Sequence, residues 1–337
     1  MNNQKNIMFV GSSKHNFKRV YKNDTINEIK KQYNALSLNL FNKREIENNP
    51  KLAEKTNYIF STWGMEKFTE AEIKKYFPNL EAVFYGAGSV QDFAEPFIKS
   101  GVKVFSAYRA NAIPVIEFTY AQIILASKGF FGASRKCRFN RYGGFKYSDN
   151  CGGMYKTKVG ILGVGAIGRG IAEKLQENDV ELYYYDPFLS KETAEKLHLK
   201  EATLKEIFSE CNIITNHLAN KDELTHILNG ELFSLMKPYS TFINTGRGRQ
   251  VDEKGLAKAM KSDKTRTALL DVTYPEPPNS FGRLFRRKNI ILTPHIAGSN
   301  GREVERMAQY MVDESLRFSK GENLMYEVTA EMLKNMA

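Results

Sequence analysis

The chain has 337 residues, 42% hydrophobic and 26% charged, with 49 Lys and Arg against 38 Asp and Glu for a formal net charge of +11. That length accommodates two domains, and the balance is that of a folded protein rather than a disordered one. No apolar run approaches the ~18 residues that span a bilayer, residues 1–10 lack the hydrophobic region of a signal peptide, and Cys137, Cys151 and Cys211 form no CxxC pair.

The cysteine spacing argues against a disulfide framework or a metal site and suits a reducing cytoplasm. Taken in chain order, apolar runs predict strands at 7–11, 58–61, 80–85 and 102–106, with polar helical stretches between them. One such helix, 69–76, opens on a Thr69–Glu72 capping box. This alternation implies a mainly parallel sheet covered on both faces. PVIEFTYAQIILASK at 114–128 reads as a helix opening at Pro114. The Gly- and aromatic-rich stretch 129–157 reads as an irregular connection. It lies in a span, 118–148, that carries Lys128, Arg135, Lys136, Arg138, Arg141 and Lys146 without an acid. Such a composition binds single-stranded nucleic acid in some proteins. No nucleic-acid-binding motif accompanies it, so it is read as packing its aromatics on its own chain or a twin subunit. Strands are then predicted at 158–162, 180–185, 213–216, 241–244, 267–270 and 290–292. Helices are expected at 166–176, 204–208, 229–235, 253–260 and 302–318.

KVGILGVGAIGRGIAEKL sets Gly163, Gly165 and Gly168 between an apolar strand and a helix. The first glycine makes a tight turn, the second lets a pyrophosphate approach the backbone, and the third lets helix and strand pack closely. The helix start at Ala166 and Ile167 offers free N–H groups to the phosphates. The next strand ends in Asp186, an acceptor for ribose hydroxyls that repels a 2′-phosphate, so NAD is expected rather than NADP. Downstream, NTGRGRQVD carries Arg247, DVTYPEPP carries Asp271 and Glu276, and TPHIAG carries His295, each just beyond a predicted strand end. Open α/β sheets bind their ligands at those ends.

In order and approximate spacing these segments resemble the D-isomer-specific 2-hydroxyacid dehydrogenases over nearly the whole chain. The resemblance implies an α/β fold of two Rossmann-like domains with parallel sheets. The substrate domain, 1–110 plus 299–337, would be interrupted by an NAD-binding domain at 111–298. It also implies a homodimer that interconverts small 2-keto acids and (R)-2-hydroxy acids, with no nucleic acid, membrane or metal involved. His295 would be the acid/base group, Glu276 would orient it, and Arg247 would hold the substrate carboxylate. Ala87 and Gly88 resemble the substrate-carboxylate loop. Asp271 resembles the acid facing the nicotinamide carboxamide, with Thr245 and Gly246 beside the ring. His217 stands where the family reads His-Leu-Pro, but here Ala219 replaces the Pro. Arg109 is read as a hinge residue or a second anion clamp, and Trp63 as core or pocket wall in a loop that carries no Arg. An NAD-sensing regulator with the same fold is the alternative function. Formate oxidation is disfavoured because Glu276 stands where those enzymes typically carry Gln. The basic 118–148 and RLFRRK (283–288) stretches fall outside every recognised motif.

Overall fold

In the computed structural model, residues 4–278, 282 and 284–335 are described. Arg283 of the basic stretch, and the ends 1–3 and 336–337 of the expected substrate domain, lie outside the described residues. Short apolar runs close into two all-parallel sheets. The first takes β1 (Asn6–Val10), β2 (Asn34–Phe41), β3 (Tyr58–Ser61), β4 (Ala82–Tyr85) and β5 (Lys103–Ser106) in the order β2-β1-β3-β4-β5. Alternate residues serve opposite faces, as the two-residue strand period requires. Ile7, Phe9, Phe60, Phe84 and Phe105 pack into one core layer, and Met8, Val10, Ile59, Val83 and Val104 into the other.

The second sheet takes β6 (Lys158–Leu162), β7 (Glu181–Tyr185), β8 (Leu199–Glu201), β9 (Ile213–Asn216), β10 (Thr241–Asn244), β11 (Thr267–Leu270) and β12 (Ile290–Leu292) in the order β12-β11-β10-β9-β6-β7-β8. Its register aligns Leu162, Asn216, Asn244, Leu270 and Leu292 in one row. The residues that follow them (Gly163, His217, Thr245, Asp271 and Thr293) therefore leave the sheet along one edge. That edge carries the candidate site.

The chain divides into two compact units. One runs through Ala112 and resumes at Ser299, and the other is Ile113–Gly298. In the first, the helix Glu303–Lys320 returns Val304, Met307, Ala308, Met311 and Val312 to the core layer of Phe9 and Phe60. Buried Glu314 holds the segment beyond it, accepting from the Met325 and Tyr326 N–H groups and pairing with Arg317.

Three sequence expectations are corrected. The helix drawn from Pro114 begins six residues earlier, as Tyr108–Ser127, with Pro114 inside it. The supposed connection 129–157 contains two helices, Phe130–Cys137 and Arg141–Ser148. They are glycine-rich because they touch: a Cβ on Gly132 would lie 2.0 Å from the Tyr147 ring, and one on Gly144 2.2 Å from Cys137 Sγ. Strands β2 and β8 were not foreseen. Among the described residues no helix is long and apolar enough to cross a membrane, and no group of three His, Cys, Asp or Glu side chains is arranged to hold a metal ion.

Candidate functional site

The glycine turn has the shape its sequence demands. Gly163 adopts φ +84°, and a Cβ there would lie 2.6 Å from the His217 carbonyl oxygen. A Cβ on Gly168 would lie 2.0 Å from the Gly163 carbonyl oxygen, so helix Ala166–Leu175 can approach β6 only without a side chain there. Gly165 differs: nothing lies within 4 Å of its would-be Cβ. It caps the helix with no side-chain acceptor, leaving the first-turn N–H groups of Ala166, Ile167 and Gly168 without an intrahelical partner. Open space at a positive helix end is what a dinucleotide pyrophosphate needs, so these residues fit that group. Asp186, at the end of β7, is tied to the turn: Val164 N–H donates to its Oδ2 at 2.8 Å and Phe188 N–H to its Oδ1 at 2.9 Å.

The His217 ring is buried. Its Nε2 meets Thr215 Oγ1 at 2.7 Å, Nδ1 has no partner, and burial pushes its pKa down to about 3. Beneath the strand ends runs a ladder of amides that sequence reasoning did not single out. Asn216 Nδ2 donates to Asn244 Oδ1 and Gln250 Oε1, and Gln250 Nε2 donates to the carbonyls of Leu218 and Ala219. Gln250 thus fixes the loop in which Ala219 stands for the usual Pro. Thr245 bonds Thr119 through their hydroxyls at 3.1 Å, and Gly246 N–H donates to Asn244 Oδ1.

His295 and Glu276 meet: Nδ1 lies 2.7 Å from Glu276 Oε1, leaving Nε2 as the ring's other functional nitrogen. Both side chains are roughly half exposed, at 51% and 40%, so the pair is accessible to a ligand. His295 sits in the left-handed region at φ +53°, a conformation that costs on the order of 1 kcal/mol for a residue other than Gly. Asp271 maintains it. The Asp271 carbonyl accepts the His295 N–H, Oδ1 accepts from Thr293 Oγ1 and Ile296 N–H, and Oδ2 accepts from Ala297 N–H. This loop-setting work is a duty the sequence reading had not assigned to it. Glu253, also missed, accepts the Tyr274 N–H at 2.9 Å and so holds the backbone two residues before Glu276. Burial pushes its carboxyl up, with that N–H and His226 acting the other way. Arg247 donates to the Gly246 carbonyl; burial pushes its guanidinium down, and Glu276 works against that shift.

In the other unit, the turn after β4 holds Ala87 and Gly88, whose carbonyls accept from Ser106 Oγ. The Ala87 N–H donates to the Tyr85 carbonyl at 2.9 Å. Asn111 adjoins Gly88 and accepts the Ser299 N–H. Arg109 Nε donates to the hydroxyl of its neighbour Tyr108.

Parallel strands feeding an open glycine turn define a dinucleotide-binding unit of the Rossmann class. The model of the D-isomer specific 2-hydroxyacid dehydrogenase NAD-binding domain matches residues 120–297. The chain belongs to that family, and NAD is its cofactor. It is 30% identical over 223 residues to D-3-phosphoglycerate dehydrogenase of Bacillus subtilis, a match covering 66% of this chain but 42% of that protein. Glyoxylate reductase of Korarchaeum cryptofilum is 26% identical over 268 residues, covering 79% of this chain and 81% of that one. A phosphoglycerate oxidoreductase structure from Rhizobium etli shares the fold, with a TM-score of 0.79 at 17% identity over 98% of this chain and 99% of that one. The matches to the phosphoglycerate dehydrogenases of Bacillus subtilis and Synechocystis span about two fifths of those longer chains.

Proposed function

We propose that the protein reduces a small 2-keto acid to the (R)-2-hydroxy acid, as a homodimer in a reducing cytoplasm. The observation that carries this reading is the 2.7 Å His295–Glu276 pair on loops that follow β11 and β12, with Arg247 just beyond β10. Bound NADH supplies the hydride that reduces the carbonyl carbon. Charge then develops on the carbonyl oxygen, and His295 Nε2 gives it a proton. Glu276, bonded at Nδ1, fixes the ring's orientation for that transfer. Arg247 binds the substrate carboxylate through its guanidinium fork. Ala87 and Gly88 are read as substrate-binding residues, and the unit that carries them as the substrate domain.

On the cofactor side, Gly163, Gly165, Ala166, Ile167 and Gly168 receive the pyrophosphate and Asp186 the adenosine ribose. His217, Thr245, Gly246 and Asp271 line the rest. The three cysteines are free thiols, which accords with a reducing compartment. The test is NADH oxidation against a panel of 2-keto acids, with His295→Ala as control. Turnover that falls at least a thousandfold in the variant is expected. Intact NADH binding without turnover of any acid would replace this reading with that of an NAD-sensing regulator.

A further inference from the structure

The loop after β3 contains no arginine of its own, but the fold brings one to it. Helix Lys14–Val20 lays the Arg19 guanidinium over the Trp63 ring, its carbon 5.9 Å from the ring centroid. The residues that flank the pair in sequence touch the turn that leads to Ala87 and Gly88. Thr62, beside Trp63, donates its hydroxyl to the Gly86 carbonyl at 2.8 Å. Val20, beside Arg19, lies 3.2 Å from where a Gly86 Cβ would be, and Tyr21 Oη 3.0 Å. Tyr21 in turn donates to the Ser61 carbonyl, and Ser12 N–H to the Gly64 carbonyl, so the loops after β1, β3 and β4 are tied together.

Arg19 finds no carboxylate and no hydrogen-bond acceptor among the described residues, as is also true of Arg44 and Arg306, whereas Lys5, Lys43, Lys103 and Arg317 of the same unit pair with acids. No acid precedes Asp24 in the chain, while Lys14, Lys18 and Lys22 surround Arg19 in sequence. An unpaired guanidinium that rests over an aromatic ring keeps its N–H fork free for an anion. Arg109, the cation beyond neighbouring β5, already spends its Nε on Tyr108.

We propose that Arg19, braced on Trp63, is a specificity-determining residue. It binds a second anionic group, carboxylate or phosphate, at the far end of a 2-keto acid whose own carboxylate lies at Ala87–Gly88. The inference rests on the dehydrogenase reading above. It is tested with Arg19→Met, which keeps an unbranched side chain and removes the charge, and with Arg19→Lys. KM is measured for glyoxylate and pyruvate, for 2-oxoglutarate as dicarboxylate, and for phosphohydroxypyruvate as phosphorylated acid. The Met variant raises KM for at least one dianion about tenfold, leaves glyoxylate within about twofold, and Lys recovers part of the loss. Which dianion responds tells carboxylate from phosphate.

Trp63 is the only tryptophan, so its fluorescence gives a readout independent of turnover. Titrating 2-oxoglutarate or 3-phosphoglycerate shifts it saturably in the wild type and not in Arg19→Met. Equal KM changes for monoanions and dianions, or a signal unchanged by the substitution, would overturn the proposal. Absence of turnover on every acid, with the fluorescence response retained, would instead refute the dehydrogenase reading and leave the anion site standing.

Discussion

His217 makes stability depend on pH in a way that can be calculated. Its ring is fully desolvated with one nitrogen unpartnered, and burial holds its pKa at about 3 against an ordinary value of about 6.5. Above pH 6.5 neither folded nor unfolded chain carries the proton. Below it the unfolded chain takes up a proton that the folded one refuses, so stability falls as the pH drops from about 6.5 towards 3. The slope approaches about 1.4 kcal/mol per pH unit, which integrates to about 2 kcal/mol between pH 7 and pH 5. Urea unfolding followed by far-UV circular dichroism at those two pH values measures it. The wild type should lose about 2 kcal/mol more than His217→Gln, whose side chain does not titrate. Parallel losses, within about 0.5 kcal/mol, would mean that the ring accepts a proton in the folded state and would refute its desolvation.

The glycine turn separates stability from cofactor binding. Gly168→Ala should cost about 1–3 kcal/mol, since its Cβ must move more than about 1 Å from the Gly163 carbonyl. Gly165→Ala should leave stability within about 0.5 kcal/mol but weaken NADH binding at least about tenfold; calorimetric titration finding wild-type affinity would refute the pyrophosphate assignment. Glu253→Ala leaves the Tyr274 N–H without its acceptor, costing about 1–2 kcal/mol. It should lower kcat, whereas Glu253→Gln, which can still accept, should retain most of it; equal kcat values for the two variants would refute the role. Asp186→Ser should reduce the preference for NADH over NADPH in kcat/KM at least about tenfold, and an unchanged ratio would show that Asp186 serves only the Val164 and Phe188 N–H groups.

What the sequence reveals follows the range of the forces involved. Strands such as Lys158–Leu162 and Thr241–Asn244 were legible because each centres on a short apolar core (Val159, Ile161 and Leu162; Phe242 and Ile243) with a turn behind it, and the Thr69–Glu72 capping box forms as read. Strand β2 escaped notice because NALSLNLF interleaves Asn and Ser with its leucines and is partly exposed along the sheet edge. The helices at 130–148 were hidden by their own packing: glycines that permit contact with Tyr147 and Cys137 look like loop residues until those partners are known. In the candidate site, the groups proposed to meet a ligand stand out by motif and strand end. Those that hold such groups in place were not, because Asn216, Asn244 and Gln250 acquire meaning only once three separate strands and loops meet. Arg19 is a similar case, 44 residues from the indole it covers.

The return of helix Glu303–Lys320 to the β1–β5 sheet bears on the order in which the protein can assemble during synthesis. Ile113–Gly298 is continuous and can close its core as soon as it has left the ribosome. The earlier-made strands must wait. Until Val304, Met307, Met311 and Val312 arrive, the layer containing Phe9, Phe60 and Phe84 lacks part of its cover. The earlier-made strands of this sheet are therefore completed after the unit that follows them, and during that interval their aromatic face stays open to contact with other chains.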